Sequence, residues 1–420
     1  MIMTLNIPFR NAYYRFASGY SFLFFISWSL WWSLYAIWLK GHLGLSGTEL
    51  GTLYSVNQFT SMLFMVVYGI IQDKLGLKKT LIWCMGIVLL LTGPFMIYIY
   101  EPLLRTHFSA GLVLGSLFFG LGYLAGSGLL DSFTEKMARS FHFEYGTARA
   151  WGSFGYAVGA FFAGIFFSIN PHINFWLVSL FGLAFIAINF RVKFQPQHCV
   201  TTGEGRVKKE DFLAVFKDRN FWIFVLFIVG TWSFYNIYDQ QLFPVFYAGL
   251  FESREVGTRV YGYLNSFQVI LEALCMLVVP FFVNRVGPKN ALLLGVVIMM
   301  LRILSCALFV NPYIISLVKL LHAIEVPLCV ISVFKYSVAN FDKRLSSTIF
   351  LVGFQIASSV GIIFLSAPIG ILFDNAGYRT VFFAISGIVF LMLLFGRVLL
   401  SKKRERPGAE PAAATAPGTL

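Results

Sequence analysis

A 420-residue chain with 58% hydrophobic residues, 12% charged residues and 47 Phe is too apolar for a water-soluble globular fold, in which about a quarter of residues are charged. Its mean hydropathy of +0.76 marks a polytopic membrane protein. The net charge of +13 is set by membrane topology, as the distribution below indicates, so no nucleic-acid partner is expected.

The N-terminal stretch has no small-residue cleavage pattern and runs straight into an apolar segment, so the first span is expected to be retained. Runs long enough to cross about 30 Å of hydrocarbon lie near 15–40, 47–71, 80–100, 109–134, 147–169 and 172–190. Six more lie near 220–248, 260–284, 290–309, 313–338, 346–373 and 378–400. The expected fold is an all-α membrane protein with twelve transmembrane helices in two pseudo-symmetric six-helix bundles. The bundles span 1–190 and 220–400, joined by a cytoplasmic linker over 191–219. Residues 401–420, with PAAATAPG, have too little large apolar surface to fold and read as a disordered cytoplasmic tail.

Of the 32 Lys and Arg, five (Lys40, Arg105, Arg254, Arg259, Arg379) fall on one side of these spans. Arg149, Arg302 and Lys319 fall within or at the edge of spans, and the remaining 24 lie on the opposite side. By the positive-inside rule both termini are cytoplasmic, as expected for a multi-pass protein of the bacterial inner membrane surrounded by lipid. The cysteines Cys84, Cys199, Cys275, Cys306 and Cys329 are odd in number and mostly within apolar runs. They show neither a disulfide framework nor metal-ligand spacing, and no metal site is expected.

The two halves repeat. At an offset of 211 residues, Gly51, Leu53, Ser55 and Asn57 fall on Gly262, Leu264, Ser266 and Gln268, while Asp73, Gly76 and Lys78 fall on Asn284, Gly287 and Lys289. Transporters built from such duplicated halves bind substrate between them, near the bilayer midplane. Enzyme-like fragments have simpler explanations. Ser46 and Glu49 form a capping box at a helix start. The small residues of Trp151-Gly152-Ser153-Phe154-Gly155 allow close helix contact. No catalytic site is expected.

The chemistry lies in the ionisable groups within spans: Asp131, Arg149, Asp239, Glu272, Arg302, Lys319, His322 and Glu325. Lys319, His322 and Glu325 are spaced by three on a helix, so they share one face. Each charge at a span centre costs about 2.5–3.5 kcal/mol on insertion scales, so that face must meet protein or a water-filled path. Asp239 with Lys319 is expected to be a structural pair. With His322 neutral, four acids face three bases, so one bound proton neutralises the set.

The loop Gly69 to Lys79, with Asp73, Gly76 and Lys78, resembles the conserved-type cytoplasmic loop of the major facilitator superfamily, in which the acid helps latch the halves in one state. The runs FEYGTARAWGS, YDQQLFPVFYAG, KNALLLG and KLLHAIEVP resemble the lactose permease branch of oligosaccharide and proton symporters over nearly the whole chain, and its sucrose-transporting members most. The resemblance implies that Asp131, Arg149, Tyr156, Glu272 and His322 contact sugar. It implies that Glu325 carries the proton, with Arg302, His322 and Tyr235 in release and coupling.

Three departures bear on the solute. Asp131 is one methylene shorter than the branch's Glu, Tyr156 replaces a Trp that stacks on galactose, and the acid of the branch stands at Glu272, with Val269 in its old place. Asn236 and Ser358 replace a charged pair, so neither is left unpaired. Together these imply proton-coupled symport of a disaccharide, sucrose, by a monomer with no cofactor other than the proton. Another oligosaccharide or hydrophilic solute, or a sugar receptor that does not transport, is the alternative. Trp31, Trp32 and Tyr35 offer flat faces for sugar rings.

Overall fold

The computed structural model describes residues 10–75, 77–194, 215–341 and 349–401. Gly76, the side chain of Asp73, nearly all of the linker and the tail beyond 401 lie outside the described residues, so the latch expected at Asp73 and Gly76 has no structural counterpart here.

The described residues form helices without strands. The first half comprises α1 (Ala12–His42), α2 (Gly47–Gln72), α3 (Thr80–Thr106), α4 (Phe108–Ser140), α5 (Tyr145–Ile169) and α6 (Pro171–Arg191). The second comprises α7 (Arg219–Ala248), α8 (Arg254–Val286), α9 (Pro288–Leu308), α10 (Pro312–Asn340) and a 49-residue stretch, Leu351–Leu399. That stretch is two helices, α11 and α12, because Gly377 breaks it with φ of 73°, a left-handed value that glycine adopts without a Cβ clash. Among the described residues this gives twelve helices of membrane-crossing length, as the hydropathy pattern predicts.

The helix starts are written in local side chains. Asn11, Asn170, Asp218, Ser253 and Asn311 each accept a backbone N–H of the first turn they precede, and Pro171, Pro288 and Pro312 take the first helical position, where no N–H is needed. The capping box forms as expected: the backbone N–H of Ser46 donates to Glu49 Oε2 at 2.8 Å, and that of Glu49 donates to Ser46 Oγ at 3.1 Å.

The internal repeat governs how the halves meet. Gly51 on α2 lies so close to Ser366 and Ala367 on α11 that a Cβ would collide with the Ser366 carbonyl. Its repeat partner Gly262 on α8 meets Gly164 on α5, where a Cβ would come within 2.9 Å of the Gly164 Cα. Small residues let these backbones touch. The two contacts are related by the pseudo-symmetry that exchanges α2 with α8 and α5 with α11.

One pairing needs correction. The offset of 211 matches Lys78 with Lys289, but Lys79 is the structural counterpart. Lys79 Nζ donates to the carbonyls of Asn189 and Val192 at the end of α6, and Lys289 Nζ donates to those of Arg397 and Leu400 at the end of α12. Each cation satisfies carbonyls that the helix end leaves unpaired. Lys78 is exposed.

Polar contacts reinforce the closed end. Asp374, at the end of α11, accepts the backbone N–H groups of Gly47 at 2.7 Å and Thr48 at 2.8 Å, so the second half caps the positive N-terminus of α2. Lys40 lies 3.5 Å from the same carboxylate. Arg254 donates to the Gly41 carbonyl at 3.0 Å. These contacts close the end of the bundle farthest from the linker.

Candidate binding cavity and charge network

Between the halves lies a cavity of about 280 Å³, near the lower bound of small-molecule pockets, about 300 Å³. The first half lines it with Phe25, Trp32, Arg149, Ser153 and Tyr156. The second half contributes Tyr235, Asp239, Gln240, Asn265, Gln268, Glu272 and His322, with Val269. Aromatic faces and hydrogen-bonding groups converge there, a combination that can hold a ring bearing many hydroxyls.

Arg149, near the start of α5, is held from two sides. Its Nε lies 2.8 Å from Asp131 Oδ1 on α4, and its guanidinium carbon lies 4.0 Å from the centroid of the Phe25 ring. Asp131 is not a lining residue of the cavity and reaches it through Arg149. Both side chains keep about a third of their exposure, 33% and 29%, deep in a helical bundle.

The second half carries the charges. Asp239 sits in a π-helical turn, Ile237–Leu242, a widened turn of a type frequent at functional sites. On α10, Pro327 cannot donate the bond that the Ala323 carbonyl would receive, and the preceding helix is interrupted at Leu321, just before His322. Lys319, His322 and Glu325 are all buried, whereas Leu317, Leu321 and Ile324 are exposed on the opposite side of the helix.

Asp239 Oδ1 receives Lys319 Nζ at 2.8 Å and Arg302 Nη2 at 2.8 Å. Through Nη1, Arg302 donates to Glu325 Oε2, and the same atom lies 3.2 Å from His322 Nδ1. The Tyr235 hydroxyl meets the His322 ring at 3.1 Å, and His322 Nε2 lies 3.6 Å from Glu272 Oε2. Gln268 Nε2 donates to that Glu272 oxygen at 3.1 Å. A contiguous chain therefore runs from Glu272 and His322 at the cavity to Arg302 and Glu325, both 0% exposed.

The site residues named from sequence thus fall into two groups, one around Arg149 and one around His322, with the cavity between them. On α9, Arg302 reaches Glu325. Of Trp31, Trp32 and Tyr35, only Trp32 lines the cavity, beside Phe25 from the same helix. Trp31 stacks on Phe119 at 4.4 Å, and the Tyr35 hydroxyl bonds that of Tyr100 at 2.5 Å. Asn236 Nδ2 faces Ser358 Oγ at 3.5 Å, a neutral pair as the substitution pattern implies. Sequence reasoning missed Gln240, Asn265 and Gln268 as lining groups. Gln268 had a signal, since it and Asn57 are amides at matching repeat positions.

The fold and sequence have close relatives. The chain is 83% identical over 404 residues to the sucrose permease of Escherichia coli, covering 96% of this chain and 97% of that protein. It is 33% identical over 399 residues to the melibiose permease of Enterobacter cloacae, covering 94% of each. The crystal structure of the nucleoside transporter NupG superposes with a TM-score of 0.78 at 17% identity, covering 93% of this chain and 100% of that one, which shows the major facilitator fold. Residues 6–410 match the LacY proton/sugar symporter family. A duplicated twelve-helix bundle, a cavity between its halves and a family match over nearly the whole chain converge: this multi-pass membrane protein is a transporter, not an enzyme, and belongs to the LacY proton/sugar symporter family.

Proposed function

We propose that the chain imports sucrose together with a proton across the bacterial inner membrane by alternating access. Support for sucrose comes from the 83% identity to a sucrose permease and from a cavity lined by Tyr156 in the place of a larger ring, with Asp131, a shorter acid, behind the lining Arg149. Arg149, held by Asp131, donates to sugar hydroxyls, while His322, Glu272 and Gln268 approach the sugar from the other half. Trp32 and Tyr156 supply faces for the rings.

The observation that carries the coupling is the unbroken chain from cavity-lining His322 to buried Glu325. Arg302 lies between Asp239 and Glu325, so its guanidinium is shared by the two acids in this arrangement. Protonation of Glu325 releases Arg302 to Asp239 and brings the in-span set of four acids and three cations, with His322 neutral, to net neutrality. A neutral interior changes access without moving an unbalanced charge through low dielectric. In a neutral His322 ring, the Arg302 N–H makes Nδ1 the acceptor, which leaves Nε2–H directed at Glu272. Sugar binding at Glu272 and His322 is thereby felt at Arg302.

The cytoplasm faces the linker end and holds both termini, the chain acts as a monomer, and the proton is its only coupling ion. The conformational latch that the resemblance implies is assigned to Asp73, Gly76 and Lys78. Labelled sucrose uptake into proteoliposomes, with a panel of competing sugars, tests the assignment. Sucrose should compete best and lactose poorly. Comparable competition by lactose would contradict it.

A further inference from the structure

Away from the cavity, at the end of the bundle farthest from the linker, three helices bring together two imidazoles and a carboxylate. His42 ends α1, Glu101 lies in the last two turns of α3, and His172 is in the first turn of α6. His42 Nε2 lies 3.3 Å from Glu101 Oε1, and His172 Nε2 lies 3.0 Å from Glu101 Oε2. The three ligand atoms fall within 4.8 Å of one another. None of these residues takes part in the sugar cavity or the charge network.

The two imidazole-to-carboxylate separations are close to those between ligands of one zinc ion. Tetrahedral Zn²⁺ with bonds of about 2.0–2.1 Å holds its ligand atoms about 3.3 Å apart. Two imidazoles and a carboxylate are also the donor types that divalent zinc takes, with a fourth position left for water. The histidines keep side-chain exposures of 37% and 36%, so an ion can enter, while Glu101 keeps 13%, so its carboxylate is fixed. Arg105 is the competing cation. Its Nη2 donates to Glu101 Oε1 at 3.0 Å and to the His42 carbonyl at 3.3 Å, but its side chain is 45% exposed and free to swing out.

We propose that His42, Glu101 and His172 form a Zn²⁺ site that joins the ends of α1, α3 and α6. The ligands are on three helices and distant in sequence, which is why cysteine and histidine spacing gives no sign of it. The site sits beside the contact between halves, since the Gly41 carbonyl next to His42 is the acceptor for Arg254. All three ligands belong to the first half, so the ion braces that half without tying it to the other.

The test is calorimetric titration of Zn²⁺ into the untagged full-length chain, purified in detergent and stripped with a chelator, alongside variants that retain sucrose binding. One Zn²⁺ should bind per chain. His42→Ala, His172→Ala and Glu101→Gln should each weaken it at least tenfold, while Arg105→Gln, which removes the competing cation, should tighten it. Absence of saturable Zn²⁺ binding would overturn the proposal. So would binding that His42→Ala and His172→Ala both leave unchanged, because the ion would then sit elsewhere.

Discussion

Arg302 holds the carboxylate of Glu325 where neither side chain touches solvent. Its other terminal nitrogen lies 2.8 Å from Asp239. Of the two acids that share this guanidinium, Asp239 retains Lys319 as a second cation. Glu325 has no such reserve, and its Oε1 has no hydrogen-bond partner among the described residues. Glu325→Gln should imitate permanent protonation. Exchange of labelled for unlabelled sugar should continue at near the parental rate, while accumulation driven by a proton gradient should disappear.

Arg302→Ser should produce the complementary defect. The acid keeps its proton because nothing nearby stabilises the carboxylate in a dry site. Net uptake and net efflux should fall tenfold or more while exchange persists. Parallel loss of exchange, with sugar binding intact, would assign Arg302 to the access change instead of to proton release.

Asp239 and Lys319 test the energetics of burial. Asp239→Ala strands an ammonium that is 1% exposed, and removing one partner of a buried pair costs about 3–5 kcal/mol. The double variant Asp239→Ala with Lys319→Ala removes one charge of each sign and should recover most of that loss. Thermal unfolding of the four proteins in detergent completes the cycle.

Arg149→Lys keeps the charge at the sugar-gripping end but loses the planar fork that can hold Asp131 and a hydroxyl together. Sucrose affinity should fall at least tenfold in equilibrium binding, with folding unaffected because the side chain is partly exposed. Parental affinity would remove Arg149 from the site.

At the closed end, Gly51→Val places a branched side chain against the Ser366 backbone. The halves can no longer meet there, so transport should fall by more than tenfold while sucrose binding survives. A cysteine cross-linking assay between Lys40 and Asp374, which stand 3.5 Å apart across the halves, should show loss of the closed form when combined with this change.

Much of the architecture was legible because membrane burial simplifies the code. Apolar length marks each span, and an ion inside a span must have a partner, so the pairing of Asp239 with Lys319 is legible in the sequence. What stayed hidden depends on helix-to-helix placement. Nothing in the neighbours of Glu325 shows that α9 will bring Arg302 onto it. Trp31, Trp32 and Tyr35 share composition and spacing, and only packing decides that Trp32 alone faces the cavity. Asp374 caps α2 from the other half, and His42, Glu101 and His172 meet from three helices. Pairings of that kind leave no local pattern.

If Glu325 couples the proton to the sugar, proton movement and sucrose entry measured together in proteoliposomes depend on it. With a pH indicator in a weakly buffered exterior and no imposed gradient, sucrose added outside should alkalinise the medium as one proton enters with each sugar. The Glu325→Gln protein should still exchange sucrose and give no pH change. Proton uptake by that variant at the parental ratio would contradict the account.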